Sequence, residues 1–131
     1  MVAVVDDDFS VRESLESLIR SIGMSVTVFA SAEDLLNSAN PCEANCFILD
    51  VRLPGMSGLQ LHRDLLNRNC EVPVIFMTAH ATDDQAKAEA ISDWTVAYLI
   101  KPFGEDELLD AVNTALRWKQ SKQKVESEEG P

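Results

Sequence analysis

The chain has 131 residues and a formal net charge of −11, which comes from 22 acidic and 11 basic side chains. This excess of acid argues against nucleic-acid binding by the chain itself, because neutralising phosphates requires Lys and Arg, and it suits a cation site or a basic partner. With 46% hydrophobic residues the composition is that of one globular domain, and no apolar stretch approaches the length of a membrane span.

Short apolar runs alternate with segments of helical periodicity five times along the chain. Apolar runs without alternation predict strands that are buried on both faces, at residues 2–5, 25–29, 46–49, 74–77 and 96–100. Amphipathic or Ala-rich segments predict helices at residues 10–21, 32–38, 58–67, 83–92 and 105–119. Ser10 and Glu13 form a candidate capping box for the first helix, and Gly23 is its expected end. Ser31 is a candidate N-cap of the second helix.

This alternation predicts right-handed crossovers and a parallel sheet with helices on both faces. Five such units fit a doubly wound, flavodoxin-like (βα)5 fold of the α/β class with strand order 2-1-3-4-5, which is the common solution at this size. We predict one domain over residues 1–119. Residues 120–131 are a polar tail without an apolar stripe, expected to be disordered from Ser121 as a linker or an expression remnant.

Polar side chains directly follow four of the predicted strands. Asp6 and Asp7 follow the first strand, Asp50 the third, Thr78 the fourth and Lys101 the fifth. Ligands of an open parallel sheet bind beyond the carboxyl ends of its strands, so we expect these groups to meet at one edge. Because the first and third strands are neighbours in the expected order, the three carboxylates converge.

Three carboxylates held together repel one another, and a divalent cation relieves that repulsion. Oxygen ligands with room for several waters suit Mg²⁺ better than zinc. Beside such a cation an Asp can act as a nucleophile toward a phosphoryl group and give an aspartyl phosphate. Lys101 would neutralise the transferring oxygens and Thr78 would donate its hydroxyl. Taken alone, the acidic run at residues 6–8 fits a solvated turn equally well.

The motifs at the strand ends carry a family resemblance when they are taken together and in order, although each is weak by itself. Over about residues 2–118 the chain resembles a response regulator receiver domain of two-component signalling, of the FixJ/LuxR-type subclass. The matching segments are Val4-Val5-Asp6-Asp7-Asp8, Leu49-Asp50-Val51-Arg52-Leu53-Pro54-Gly55-Met56-Ser57-Gly58, Thr78-Ala79-His80 and Tyr98-Leu99-Ile100-Lys101-Pro102-Phe103.

The resemblance implies a phosphoacceptor site. Asp50 would accept a phosphoryl group from a phosphorylated His of a sensor histidine kinase, in a reaction that requires Mg²⁺. The cation would be held by Asp6, Asp7, Asp50 and the backbone carbonyl of Arg52, and Lys101 would pair with the phosphoryl group or, before phosphorylation, with Asp50. The chain would not be an enzyme beyond its own phosphorylation and autodephosphorylation.

The resemblance also implies how the site signals. Thr78 would be the switch hydroxyl, Tyr98 the aromatic side chain that follows it, and the Lys101-Pro102 peptide bond would be cis. The domain would be cytoplasmic, would form a homodimer on phosphorylation and would control a DNA-binding output domain outside this chain. One departure is Trp94, which stands where the family often has Gly, on the face that usually signals.

Two other functions fit parts of the pattern. A small Mg²⁺-dependent phosphatase would use Asp50 for turnover, but Arg52 stands where a general acid would be needed, and no substrate-capping insertion is present. A stand-alone receiver or a non-phosphorylated interaction module of the same fold is the remaining alternative, and the complete acidic set argues against the non-phosphorylated one.

The three cysteines, Cys42, Cys46 and Cys70, are an odd number without a secretory signal, which predicts reduced thiols in a cytosolic protein. Cys42 and Cys46 lack a second Cys/His pair at zinc-site spacing. We expect Cys46 to be a small buried residue that opens a strand. His62 is expected on the exposed face of the third helix.

Overall fold

The computed structural model describes the backbone of residues 1–128 and the side chains of residues 1–118. Its centre is one parallel sheet with strand order β2-β1-β3-β4-β5, so the predicted flavodoxin-like α/β fold is confirmed. The strands are β1 (Val2–Val5), β2 (Val26–Phe29), β3 (Cys46–Asp50), β4 (Val74–Thr78) and β5 (Thr95–Ile100).

Five α-helices connect or follow the strands: α1 (Phe9–Ser21), α2 (Ala32–Leu36), α3 (Gly58–Asn67), α4 (Asp84–Ala90) and α5 (Glu105–Glu128). A short 3₁₀ turn, Pro41–Glu43, precedes β3. The disorder that we expected from Ser121 is contradicted over residues 121–128, because α5 continues through them. These residues are mostly Gln, Lys, Glu and Ser and include neither Pro nor Gly, so nothing in the sequence breaks the helix there. The last three tail residues lie outside the described part of the chain.

The strands bury side chains on both faces of the sheet. One face packs Val5, Leu49 and Phe76 under α2, α3 and α4, and the other packs Val4 and Ile48 under α1 and α5. Each fully buried side chain of this size contributes about 1.5–3 kcal/mol to stability. This two-sided burial holds the ends of the three central strands, and therefore the residues that follow them, in a fixed register.

The start of α1 differs from the prediction. Asp8, rather than Ser10, is the N-cap, and one Asp8 carboxylate oxygen accepts hydrogen bonds from the backbone N–H groups of Ser10 (2.8 Å) and Val11 (3.3 Å). The capping-box pattern was misleading because an Asp two residues earlier competes for the same donors. The end of α1 is as predicted, with Gly23 at φ 83°.

The β4–β5 pairing is irregular beside Trp94. The backbone N–H of Val74 donates to the Trp94 carbonyl at 2.8 Å, and the register shifts between Val74 and Ile75. The Trp94 side chain is half-buried. The segment that departs from the family pattern thus coincides with a local irregularity at the start of β5.

His62 is buried, so its predicted exposure is wrong. Its ring meets Phe76 edge-on with centroids 5.6 Å apart, and it is only 4% exposed. Its Nε2 has no hydrogen-bond partner among the described residues. The error arose because the buried face of α3 is wider than the stripe formed by its leucines alone. Gly58 and His62 are buried together with Leu61 and Leu65.

This buried imidazole predicts a loss of stability in acid. Burial lowers the pKa of His62 to about 4 from its ordinary 6.5, so the unfolded chain binds the proton more readily than the folded one. The contribution of neutral His62 to the free energy of unfolding is fully present above about pH 6.5. It is lost as the pH falls toward 4, and the loss is at most about 3 kcal/mol. Urea unfolding between these pH values checks it. His62→Leu should flatten the slope, and an unchanged slope would contradict the assignment.

The expectation of three reduced thiols is contradicted for two of them. Cys42, in the 3₁₀ turn, and Cys70, just after α3, form a disulfide with their Cα atoms 5.1 Å apart. Only the fold brings these residues together, and an odd cysteine count does not exclude one pair. Cys46 is free and fully buried, as predicted, and burial raises the pKa of its thiol to about 12.

The disulfide predicts a redox-dependent stability. It closes a loop between positions 28 residues apart. Constraint of the unfolded chain by a loop of that size is worth about 3–4 kcal/mol. Urea unfolding with and without a dithiol reductant measures the difference, and Cys42→Ser/Cys70→Ser should behave like the reduced chain in both conditions. Titration of the denatured, unreduced chain should find one free thiol, whereas three would exclude the bond.

Candidate functional site

The sheet register brings the acidic residues together. Val5 pairs with Leu49 in the β1–β3 ladder, so Asp6 lies beside Asp50 at the carboxyl edge of the sheet. Asp6, Asp7 and Asp50 each offer a carboxylate oxygen, and these oxygens lie within 4.8 Å of one another. The structure therefore assembles the three carboxylates that the sequence analysis placed at this edge.

The three carboxylates differ in exposure. Asp6 is fully buried and Asp50 is 7% exposed, whereas Asp7 is exposed. The Asp6 Oδ1 accepts a hydrogen bond from the backbone N–H of Asp8 at 2.8 Å. The cluster is thus anchored in the protein on the side of Asp6 and open to water on the side of Asp7.

Lys101 bridges the two buried carboxylates. Its Nζ lies 2.6 Å from the Asp6 Oδ2 and 2.8 Å from the Asp50 Oδ2. Burial alone would lower the pKa of Lys101, but hydrogen bonds to Asp50 and Asp6 outweigh it and raise the pKa. Its backbone N–H donates to the Thr78 carbonyl at 2.7 Å, and the Lys101-Pro102 peptide bond is cis, as predicted.

The environment of Asp50 disfavours the ionised form of its carboxyl group. Burial raises its pKa and the charge of Asp6 adds to the rise, whereas the hydrogen bonds from Lys101 and the Arg52 backbone oppose it. One ammonium group faces a cluster of three carboxylates, which leaves excess negative charge. A hard divalent cation with oxygen ligands and waters fits this donor set, and Mg²⁺ is such a cation.

The two predicted switch residues lie on neighbouring strands, Thr78 at the end of β4 and Tyr98 within β5. Thr78 is 1% exposed and follows Met77, the β4 partner of Asp50, and its Oγ1 accepts a hydrogen bond from the His80 N–H at 3.0 Å. Tyr98 is half-buried, and its hydroxyl is buried without a hydrogen-bond partner among the described residues. An unpaired buried hydroxyl costs free energy, so this position of Tyr98 is one that a new partner could change.

Contacts that the sequence analysis missed hold the loops around the site. Arg12 donates to the Asp6 carbonyl at 2.8 Å, and Glu33 accepts from the Met56 N–H at 2.9 Å, which also lowers the pKa of Glu33. The Arg52 guanidinium contacts the Asp83 carboxylate at 2.7 Å. Periodicity gives no signal for such contacts, because each joins a side chain to a group fixed by the tertiary fold.

The fold and the site together define a doubly wound α/β protein with an acidic, lysine-bridged cluster at the carboxyl edge of its sheet. The sequence model of the family described as the response regulator receiver domain matches residues 2–113. The chain belongs to this family, and it is the receiver domain of a two-component response regulator.

Known relatives and a solved structure agree. Nodulation protein W of Bradyrhizobium diazoefficiens is 45% identical over 115 residues, which are 88% of this chain and 50% of that protein. The transcriptional regulatory protein FixJ of Azorhizobium caulinodans is 40% identical over 115 residues, 88% of this chain and 54% of that protein. The structure of the response regulator StyR superposes with a TM-score of 0.83 at 36% identity, covering 97% of this chain and 64% of that one.

The chain spans about half the length of the curated relatives it matches. Among the residues that the structure describes, no helix is long and apolar enough to cross a membrane.

Proposed function

We propose that Asp50 is phosphorylated by a sensor histidine kinase in a Mg²⁺-dependent reaction, and that the phosphoryl group switches a signalling surface of the domain. The observation that carries the proposal is the position of Lys101, whose Nζ contacts both Asp50 and Asp6 within 2.8 Å. An ammonium group there can neutralise a phosphoryl group on Asp50 without moving far.

The proposed transfer is a simple substitution at phosphorus. A carboxylate oxygen of Asp50 attacks, a new O–P bond forms, and the P–N bond to the donor imidazole breaks with its electron pair returning to the imidazole. A bound Mg²⁺ would supply positive charge to the transferring oxygens. Asp6, Asp7, Asp50 and the Arg52 carbonyl would hold the ion, and hydrolysis of the aspartyl phosphate would reset the site.

The signal would leave the site through Thr78 and Tyr98. The Thr78 hydroxyl, which now accepts from His80, would donate to a phosphoryl oxygen, and Tyr98 would follow. Ile91, at the end of α4, is 78% exposed, and Ile100, at the end of β5, is 36% exposed. These two exposed side chains lie before and at the end of β5. We infer that a homodimer forms on phosphorylation and is the readout that controls a DNA-binding output domain in the cytoplasm. Residues 1–119 would form the receiver domain, and residues 120–131 would be the linker to the output domain.

Incubation with a small acyl phosphate tests the proposal. In the presence of Mg²⁺ the chain should gain one phosphoryl group, in a linkage that hydrolyses in alkali and reacts with hydroxylamine, as an acyl phosphate does. Chelation of Mg²⁺ should prevent the gain. A chain that gains no phosphoryl group, or one that is labelled equally without a divalent cation, would contradict the proposal.

A further inference from the structure

A continuous line of hydrogen bonds leads from the candidate phosphoacceptor to helix α4. The backbone N–H of Arg52 donates to the Asp50 Oδ1 at 2.9 Å, and its guanidinium donates to the Asp83 Oδ2 at 2.7 Å. Asp83 is the N-cap of α4, and its other oxygen accepts from the Ala86 N–H at 3.0 Å. Arg52 therefore contacts the site through its backbone and α4 through its side chain.

The charges of the same ion pair act on Tyr98, whose buried hydroxyl has no hydrogen-bond partner among the described residues. Burial raises the pKa of Tyr98, the charge of Asp83 adds to the rise, and the charge of Arg52 opposes it. The segment between β4 and α4 is also held at its start, where Thr78 accepts from the His80 N–H. The loop that carries Asp83 is thus held by Thr78 at its start and by Arg52 at its end.

We propose that the Arg52–Asp83 ion pair is a latch that holds α4 in the position it has while Asp50 is unphosphorylated. Arg52 and Asp83 are positioning residues in this role, which rests on the proposed phosphorylation of Asp50. A phosphoryl group two residues from Arg52 brings up to two negative charges and three acceptor oxygens. It competes with the single charge of Asp83 for the guanidinium, which is 55% exposed and free to change partner.

Loss of the latch releases α4 without unfolding it, because Asp83 keeps its capping bond to Ala86 when Arg52 leaves. The size of the effect follows from the exposure of the pair. Ion pairs at the surface shift an equilibrium by about 1.5- to 5-fold. A latch of that strength biases the position of α4 and does not block the switch, since a ligand shifts a two-state equilibrium only by its differential affinity.

The chain offers a matched control pair. Arg63 on α3 lies 3.5 Å from Glu89 on α4, and their side chains are 58% and 40% exposed. This pair also ties α4 to the preceding part of the domain, but no described hydrogen bond joins it to Asp50. If surface charge alone positioned α4, loss of the Arg63–Glu89 pair would have the same effect as loss of the latch.

The test is a double-mutant cycle followed by the amide NMR signals of residues 84–90. Arg52→Gln keeps the backbone contacts, and Asp83→Asn keeps the cap, since Asn caps helices as well as Asp does. The signals of the wild-type chain with and without acyl phosphate and Mg²⁺ define the two end points. Each single variant, unphosphorylated, should move along the line between them, with the phosphorylated-like population raised about 1.5- to 5-fold.

The double variant should move no further than either single variant, because the pair is already lost. Arg52→Lys should stay near the wild type, and Arg63→Gln and Glu89→Gln should not move along this line. Unchanged α4 signals in both single variants, or additive effects, would overturn the latch while the phosphorylation of the wild type stands. A wild-type chain that gains no phosphoryl group would overturn the proposed function and the latch with it.

Discussion

Asp50→Asn is expected to lower the rate of labelling by a small acyl phosphate by at least about a thousandfold, since the variant lacks the attacking oxygen. The amide has nearly the shape of the carboxylate, its single oxygen can keep the hydrogen bond from the Arg52 backbone, and Lys101 keeps its contact with Asp6. The site should therefore remain assembled while its chemistry is lost. Mass spectrometry of the intact chain after incubation with the donor and Mg²⁺ measures the effect.

The same substitution is expected to stabilise the fold. Burial raises the pKa of Asp50 above its ordinary 3.8, so the folded chain disfavours the charged form. The resulting cost is fully present above the raised pKa and disappears as the pH falls toward 3.8. Asp50→Asn should thus unfold at a higher temperature than the wild type at neutral pH, and the gain should shrink in acid.

Two further measurements separate this site from general charge effects. Mg²⁺ should raise the unfolding temperature of the wild type more than that of Asp50→Asn, because a ligand stabilises the state that binds it. Asp110→Asn on the exposed side of α5 removes the same charge far from the site and should leave both labelling and the Mg²⁺ effect unchanged. Equal labelling of Asp50→Asn and the wild type would assign the phosphoryl group to another residue.

The sheet and its functional edge could be predicted from the sequence because both depend on local patterns. An apolar run buried on both faces predicts a parallel strand, and the polar residue after it must lie at the carboxyl edge. This reasoning placed Asp6, Asp50, Thr78 and Lys101 correctly without any knowledge of contacts. The strand order came from a general preference of such folds, and the sheet follows it.

The sequence could not predict the features that depend on contacts between residues far apart in the chain. Arg52 and Asp83 are 31 residues apart and Cys42 and Cys70 are 28 apart, and no periodicity relates the members of either pair. His62 was misplaced because a polar residue type was given more weight than its position beside two buried leucines. Each of these cases required the actual packing of loops and of α3 against the sheet.

The second large effect is expected at Gly58, the first residue of α3. A Cβ atom built there would meet backbone atoms of β3 and the following residue: it would collide with the Asp50 carbonyl oxygen, and would lie 2.9 Å from the Asp50 carbonyl carbon and 3.3 Å from the Val51 Cα. These atoms cannot move aside, because the Val51 N–H donates to Met77 and the Gly58 N–H donates to Val51. Only glycine allows α3 to begin so close to β3, the strand that ends at Asp50.

Gly58→Ala should therefore destabilise the fold by about 3 kcal/mol or more. The sign of this change in stability is diagnostic, because replacing Gly with Ala inside a helix normally stabilises it by about 1 kcal/mol. Gly104→Ala, just before α5, is the matched control, since a Cβ there would meet nothing within 4 Å. It should cost about 1 kcal/mol at most, the usual effect at a helix N-terminus.

Urea unfolding of both variants measures the difference in stability, and labelling by acyl phosphate at low temperature measures the site. If Gly58→Ala folds, the displaced Asp50 backbone should disturb the contact between the Asp50 carboxylate and Lys101 and slow labelling, whereas Gly104→Ala should label as the wild type does. A Gly58→Ala chain as stable as Gly104→Ala would show that α3 can shift away from β3. The close approach of α3 would then not be needed to hold Asp50 in place.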